Sequence, residues 1–179
     1  YFVRLFKNTF LLGFWALIIN FPATIILALM LNEIKNERFK KLIQTVTYLP
    51  YFISVVIVVG ILKQFLSLDG IINNLISSLG GEKINFLAQP EWYRTIFIGS
   101  SMWQGIGWGT IIYLAALSGV DVQLYEAATI DGAGRWKKML HITLPAIVPT
   151  ICITFILSVG QILNSDYQKA LLLYSPTTL

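Results

Sequence analysis

Long runs of this chain carry no charge, and their spacing constrains the fold more than any single motif does. A helix needs about 20 apolar residues to cross the hydrocarbon of a bilayer. Residues 10–31 and 142–164 contain no Asp, Glu, Lys or Arg. Residues 93–117 contain only Arg94, at the start, and residues 42–66 only Lys63, near the end, where a long side chain can snorkel to the interface. Charged residues make up 12% of the 179, against about a quarter in an ordinary soluble domain, and they collect between these runs. The spacing predicts an all-α, polytopic membrane helical bundle with about four transmembrane helices, over 10–31, 42–66, 93–117 and 142–164. Buried helices of soluble proteins are usually shorter and keep a polar stripe. Val55–Val59 has the composition of a buried strand, but the apolar run around it is far too long for one.

Within this frame the prolines read as local breaks. Pro22, Pro50, Pro145 and Pro149 fall inside the runs, where neighbouring helices can satisfy the freed carbonyls. Residues 67–92 form a longer connection, and the stretch 71–79 reads as a short interfacial helix. Trp92 and Tyr93 mark the start of the third run as an aromatic belt would. The formal net charge of +4 does not point to nucleic acid, because the basic residues sit in short loops between apolar runs. Lys35, Arg38, Lys40, Lys41, Arg135, Lys137 and Lys138 gather on one side of the predicted bundle; Arg4, Lys7, Lys63, Lys83, Arg94 and Lys169 lie on the other. The positive-inside rule then places 32–41 and 118–141 in the cytoplasm. Cys152 is alone, so it forms no internal disulfide, and its place in an apolar run reads as packing. His141 has no Cys or His companion with which to hold a metal. There is no phosphate-binding glycine loop and no catalytic constellation, so neither a catalytic nor a metal site is expected. The chain starts at Tyr1 without a Met and ends after Ser-Pro-Thr-Thr, which reads as a piece of a longer protein.

Residues 118–141 are the most informative loop. Asp121 is placed to cap a short helix running to about Ile130. Leu124, Ala127 and Ala128 share one face of it. Asp131-Gly132 reads as its stop, with Gly132 in the left-handed conformation. Gly134 permits another turn before a second short helix carrying Trp136, Met139 and Leu140 leads to Pro145. A small helix on a glycine pivot, with alanines that let a partner approach, suits a groove on a soluble protein; a connector lying on the membrane surface is the competing interpretation.

Glu126-Ala127-Ala128, Asp131-Gly132-Ala133 and Ile142-Thr143-Leu144-Pro145 resemble, in composition and spacing, the EAA signature of binding-protein-dependent ABC importer permeases. Met139 departs from it, since many members carry Phe there. Thr47–Ser54 and Ile111–Leu117 are similar to the carbohydrate-uptake branch, with its maltose-type and polysaccharide-type permeases. The resemblance implies a six-helix permease core, of which this chain would hold all but one helix at each end, in the inner or plasma membrane. It implies that Glu126, Ala127, Ala128, Asp131, Gly132, Ala133, Leu144 and Pro145 couple to a cytoplasmic ATPase. It implies a second permease subunit, two ATP-binding cassette subunits that bind ATP and Mg, and an extracytoplasmic solute-binding protein; this chain itself would carry no cofactor.

Sugar rings stack on aromatics and need hydrogen-bond partners for their hydroxyls. Trp103, Gln104, Trp108 and Tyr113 in the third run, with Gln161 and Asn164 in the fourth, supply both and are the expected substrate path. Gly105, Gly107 and Gly109 beside them would permit close helix packing; packing alone is the competing interpretation of all these residues. The runs hold no central charge, which favours a neutral or weakly charged substrate without excluding an acidic sugar, for which the partner permease could supply cations. A non-sugar solute remains an alternative, as do an ion-coupled secondary transporter and a membrane scaffold. Secondary transporters usually place an ionisable residue inside the spans, and the EAA loop would have no role in one.

Overall fold

The computed structural model describes residues 2–164 and 166–174. Every regular element among them is helical. Helix α1 runs over Phe2–Glu33, unbroken through Pro22. Asn36 caps α2, Glu37–Tyr48, by accepting the amides of Arg38 and Phe39. A 3-10 turn, Leu49–Phe52, then leads to α3, Val55–Leu66. The segment expected as one span over 42–66 is therefore two helices with a break. Pro50 lies in the turn, where it lacks an amide to continue α2. Ile53 and Ser54 are extended, and the Ser54 hydroxyl caps α3 by accepting the Ile57 amide.

Helix α4, Ile71–Ser78, is the short helix expected in the long connection. By length and composition Val55–Ser78 qualifies as a single span. The Asn73 side chain argues against a straight one. Its amide donates to the carbonyls of Leu66 (3.5 Å), Ser67 (2.9 Å) and Ile84 (2.8 Å), and its carbonyl accepts the Ile84 amide at 2.8 Å. A continuous helix would carry residue 73 about 10 Å beyond residue 66, so the chain folds back there.

Helix α5, Pro90–Ser118, is the hub, packing against α1, α2, α8 and α9. At 29 residues it measures about 43 Å, enough to span a bilayer unaided. Helix α6, Val122–Ile130, lies at 70° to it. Helix α7, Arg135–Lys138, a π segment, Met139–Thr143, and α8, Leu144–Gly160, form one run. The expected short helix before Pro145 is thus continuous with the membrane helix. The π turn accommodates Pro145, which can neither donate to nor clear the carbonyl four residues back. Helix α8 stops at Gly160, so the run expected to 164 ends in a turn. Helix α9, Tyr167–Leu173, follows; the tail 175–179 lies outside the described residues.

Two apolar clusters fix helix direction. Leu12, Val59, Phe97, Ile98 and Leu173 pack together, as do Ala28, Tyr113, Leu117 and Ile147. The same advance along α1 and α5 from one cluster to the other makes these helices parallel, and Ile147 at the start of α8 makes α8 antiparallel to both. The 32–41 loop and α6–α7 consequently share one end, and α4 and α9 the other, as the basic residues predicted. Many large apolar side chains stay exposed along α1 and α8, among them Ile26, Met30, Ile153, Ile156 and Leu157, as a lipid-facing or helix-facing surface requires. Cys152 is on this exposed surface rather than packed inside.

Candidate functional site

Two constellations stand apart in the bundle. The first is α6 and its pivot. The Asp121 carboxylate accepts the Gln123 amide at 2.9 Å and starts the helix. At the other end Ala133 N–H donates to Ala128 C=O (2.8 Å) and Gly132 N–H to Thr129 C=O (3.1 Å), the Schellman arrangement. Gly132 has φ +75°, the left-handed conformation the sequence predicted. Side chains fasten α6 to the following helix. The Tyr125 hydroxyl lies 3.0 Å from that of buried Thr143, and Lys138 Nζ donates to Thr129 Oγ1 at 2.7 Å. The outer surface is bare: Glu126, Ala127, Asp131, Gly132 and Pro145 are exposed, as are Leu124, Ile130 and Trp136, while Ala128, Ala133 and Leu144 are half-buried. A short capped helix tied to α8 and exposing apolar side chains has the physical form of a docking lever.

The second constellation follows one stripe of α5. Phe97, Ser101, Gln104 and Trp108 stand at i, i+4, i+7 and i+11, on one face. Trp108 stacks on Tyr51 from the break, with ring centroids 4.6 Å apart and planes 5° apart; Phe52 meets Trp108 edge-on at 5.8 Å. All three rings are exposed. Gln104 donates from Nε2 to the Ile53 carbonyl at 2.9 Å, satisfying a backbone group that the break frees. Its Oε1 accepts from Lys169 Nζ at 3.3 Å, and Lys169 also donates to Ser101 Oγ at 3.0 Å. The ammonium lies 5.9 Å from the centre of the Phe97 ring. Lys169 is 2% exposed.

The six expected path residues separate into groups. Gln104 and Trp108 lie on this stripe. Tyr113, Gln161 and Asn164 line a cavity of about 510 Å³ between α1, α5 and α8, together with Asn20, Thr24 and Ser101. Tyr113 is held there by the Thr154 hydroxyl at 2.8 Å. Gln161 and Asn164 lie in the turn beyond α8 rather than within a span, where the backbone of Ile162 packs against Gly13. Trp103 is exposed and joins neither group. Sequence reasoning missed Tyr51, although an aromatic pair directly after Pro50 was a signal. It missed the Tyr125–Thr143 tie and the charge that Lys169 brings to α5, which corrects the expectation of an uncharged bundle interior; no pattern in the tail indicated it.

Membrane-length helices around one hub, with a separately capped cross-helix at one end, define a polytopic helical membrane protein. The chain belongs to the family described as binding-protein-dependent transport system inner membrane component, which matches residues 20–165; it is a multi-pass membrane protein. Over 177 residues it is 50% identical to the polygalacturonan/rhamnogalacturonan transport system permease protein YteP of Bacillus subtilis (strain 168), covering 98% of this chain and 55% of that protein. Over 173 residues it is 48% identical to protein LplB of the same organism, covering 96% and 54%. It also superposes with a TM-score of 0.96 and 46% identity on a chain of a bacterial ABC transporter involved in the import of the acidic polysaccharide alginate, covering 99% of this chain and 62% of that one. The chain thus spans a little over half the length of these relatives.

Proposed function

We propose that this chain is a permease subunit of an ATP-driven importer for oligosaccharides or polysaccharides, and that α6 couples it to a cytoplasmic ATPase. The observation that carries the coupling is α6 itself: exposed outward, pivoted on Gly132 and fastened through Tyr125 and Lys138 to the helix that continues into α8. The positive-inside rule puts this end in the cytoplasm. ATP and Mg are bound by two ATP-binding cassette subunits, a second permease completes the path, and an extracytoplasmic solute-binding protein delivers the substrate. Closure of the ATPase pair moves α6, and Pro145, just beyond the π turn, belongs to the helix that carries the motion into the bundle. Coupling between binding events is reciprocal, so substrate loading alters nucleotide affinity.

The names of the relatives support a saccharide substrate. The Tyr51–Trp108 pair supports it physically, because it offers an exposed aromatic face at a mid-bundle break, where a sugar ring can stack. Glu126, exposed on α6, pairs with an Arg or Lys of the ATPase. The test is the reconstituted transporter with Glu126→Arg or Gly132→Asp. Each variant should lose bound ATPase or the stimulation of ATP hydrolysis by loaded binding protein. Unchanged assembly and stimulation in both would remove this assignment.

A further inference from the structure

Lys169 is the one buried charged side chain among the described residues. All nine Asp and Glu of the chain are described, and none brings a carboxylate oxygen within 4.0 Å of its ammonium. Asp166 is close, but its Oδ1 accepts the Lys169 backbone amide, at 3.1 Å. A buried ammonium without a counter-ion is costly. Ser101 and Gln104 are neutral acceptors and engage two of its three N–H donors; the third has no acceptor among the described residues.

The position of this charge gives it a use. Lys169 covers Phe97, Ser101 and Gln104, and the next member of the same stripe is Trp108, stacked on Tyr51. The residues that hold the amine, Ser101 and Gln104, therefore lie one to two helical turns, ~6–10 Å of rise, from the aromatic face. Ser101 also lines the cavity between α1, α5 and α8, as does Asp166 at the start of α9. Helix α9 has seven residues and is held by Leu173 in the apolar cluster and by the Tyr93 hydroxyl, which donates to the Ala170 carbonyl at 3.3 Å.

We propose that Lys169 is a carboxylate-recognition site which selects acidic saccharides, chains carrying uronate units, over neutral ones. This deepens the saccharide-importer reading and rests on it. A carboxylate would replace a neutral acceptor with a charge-assisted hydrogen bond, strengthened by the low dielectric around the buried amine. A neutral sugar offers only hydroxyls, which are no better partners for the ammonium than Ser101 and Gln104 already are.

The experiment compares one oligogalacturonate with its fully methyl-esterified counterpart of equal length, in proteoliposomes holding the complete transporter and its binding protein. The ratio of acid to ester uptake is measured for wild type, Lys169→Met and Lys169→Arg. The same binding protein serves every variant, so its own preference cancels between them. Lys169→Met should lower the ratio about tenfold, as loss of a charged hydrogen bond would, with ester uptake retained as the control for folding. Lys169→Arg keeps the charge and should keep the ratio within about twofold. If Lys169→Met does not assemble, Lys169→Gln against Lys169→Arg makes the same comparison. An unchanged ratio in the uncharged variant, with both sugars affected in parallel, would overturn the proposal and leave Lys169 a purely structural tie. A wild type that takes up acid and ester equally would overturn the proposal and leave the saccharide reading standing; a wild type that takes up no member of a panel of acidic and neutral oligosaccharides would overturn both.

Discussion

Gly105, Gly107 and Gly109 lie within five residues of one helix, yet their surroundings predict three different responses to a single added methyl group. A Cβ at Gly107 would meet the Thr47 carbonyl well inside 3.0 Å, and the Tyr48 ring at 3.0 Å. The obstructing atoms are mainly backbone of α2, so no rotamer change relieves them; α2 must retreat by at least ~1 Å to regain van der Waals range. Overpacking of this kind costs about 1–3 kcal/mol, and here it pulls on the turn that holds Tyr51 against Trp108. A Cβ at Gly109 would lie 2.8 Å from Thr24 Cγ2, a side-chain atom. Turning that side chain away breaks the Thr24 hydroxyl bond to the Asn20 carbonyl (2.8 Å), a loss of about 1 kcal/mol. Gly105 has nothing within 4 Å, so Ala there gains up to ~1 kcal/mol of helix propensity. Thermal unfolding of the detergent-purified permease, followed by tryptophan fluorescence, should rank the alanine variants Gly107 least stable, Gly109 intermediate and Gly105 at or above wild type. The helix-propensity gain is common to both positions and cancels, so the spread from Gly105 to Gly107 should be the overpacking cost, roughly 1–3 kcal/mol. The double variant Gly107→Ala/Tyr48→Ala should not recover the loss, since the carbonyl remains. Equal midpoints for the Gly105 and Gly107 variants would refute the packing assigned to α2 and α5.

Gly132 has φ +75° and open space around it, so Gly132→Ala carries only the backbone penalty of about 1–2 kcal/mol; Gly132→Asn should be milder, both read as substrate-stimulated ATP hydrolysis. Tyr125→Phe removes the 3.0 Å contact with Thr143 and should weaken the hold of α6 on α8 by about 1 kcal/mol, seen as faster amide hydrogen exchange in α6 while the exchange of α5 is unchanged. Trp108→Ala should reduce saccharide-stimulated ATP hydrolysis about tenfold at subsaturating substrate, with Trp108→Phe recovering most of it, because the stacking face is what the site supplies.

Features set by neighbours in the chain were legible beforehand. The charge-free runs announce membrane helices, Asp121 announces the start of α6 and Asp131-Gly132 its end, since caps are made within a few residues. The Glu126–Pro145 spacing carried the family. The path residues were less legible. Gln104 was expected to face substrate; the structure spends its amide on the Ile53 carbonyl, 51 residues away, a demand that exists only because α2 and α3 are broken beside it.

Composition and local order alone therefore determined that the chain crosses a membrane several times and carries a capped lever between its last two long apolar runs. Both follow from interactions within a segment or between a segment and its solvent. Tertiary structure decided which of three neighbouring glycines bears a helix crossing, which aromatics form a stack, and that a lysine from the tail lodges against the middle of α5. Those outcomes depend on distances between segments far apart in the chain, and hydrophobic periodicity contains no term for them.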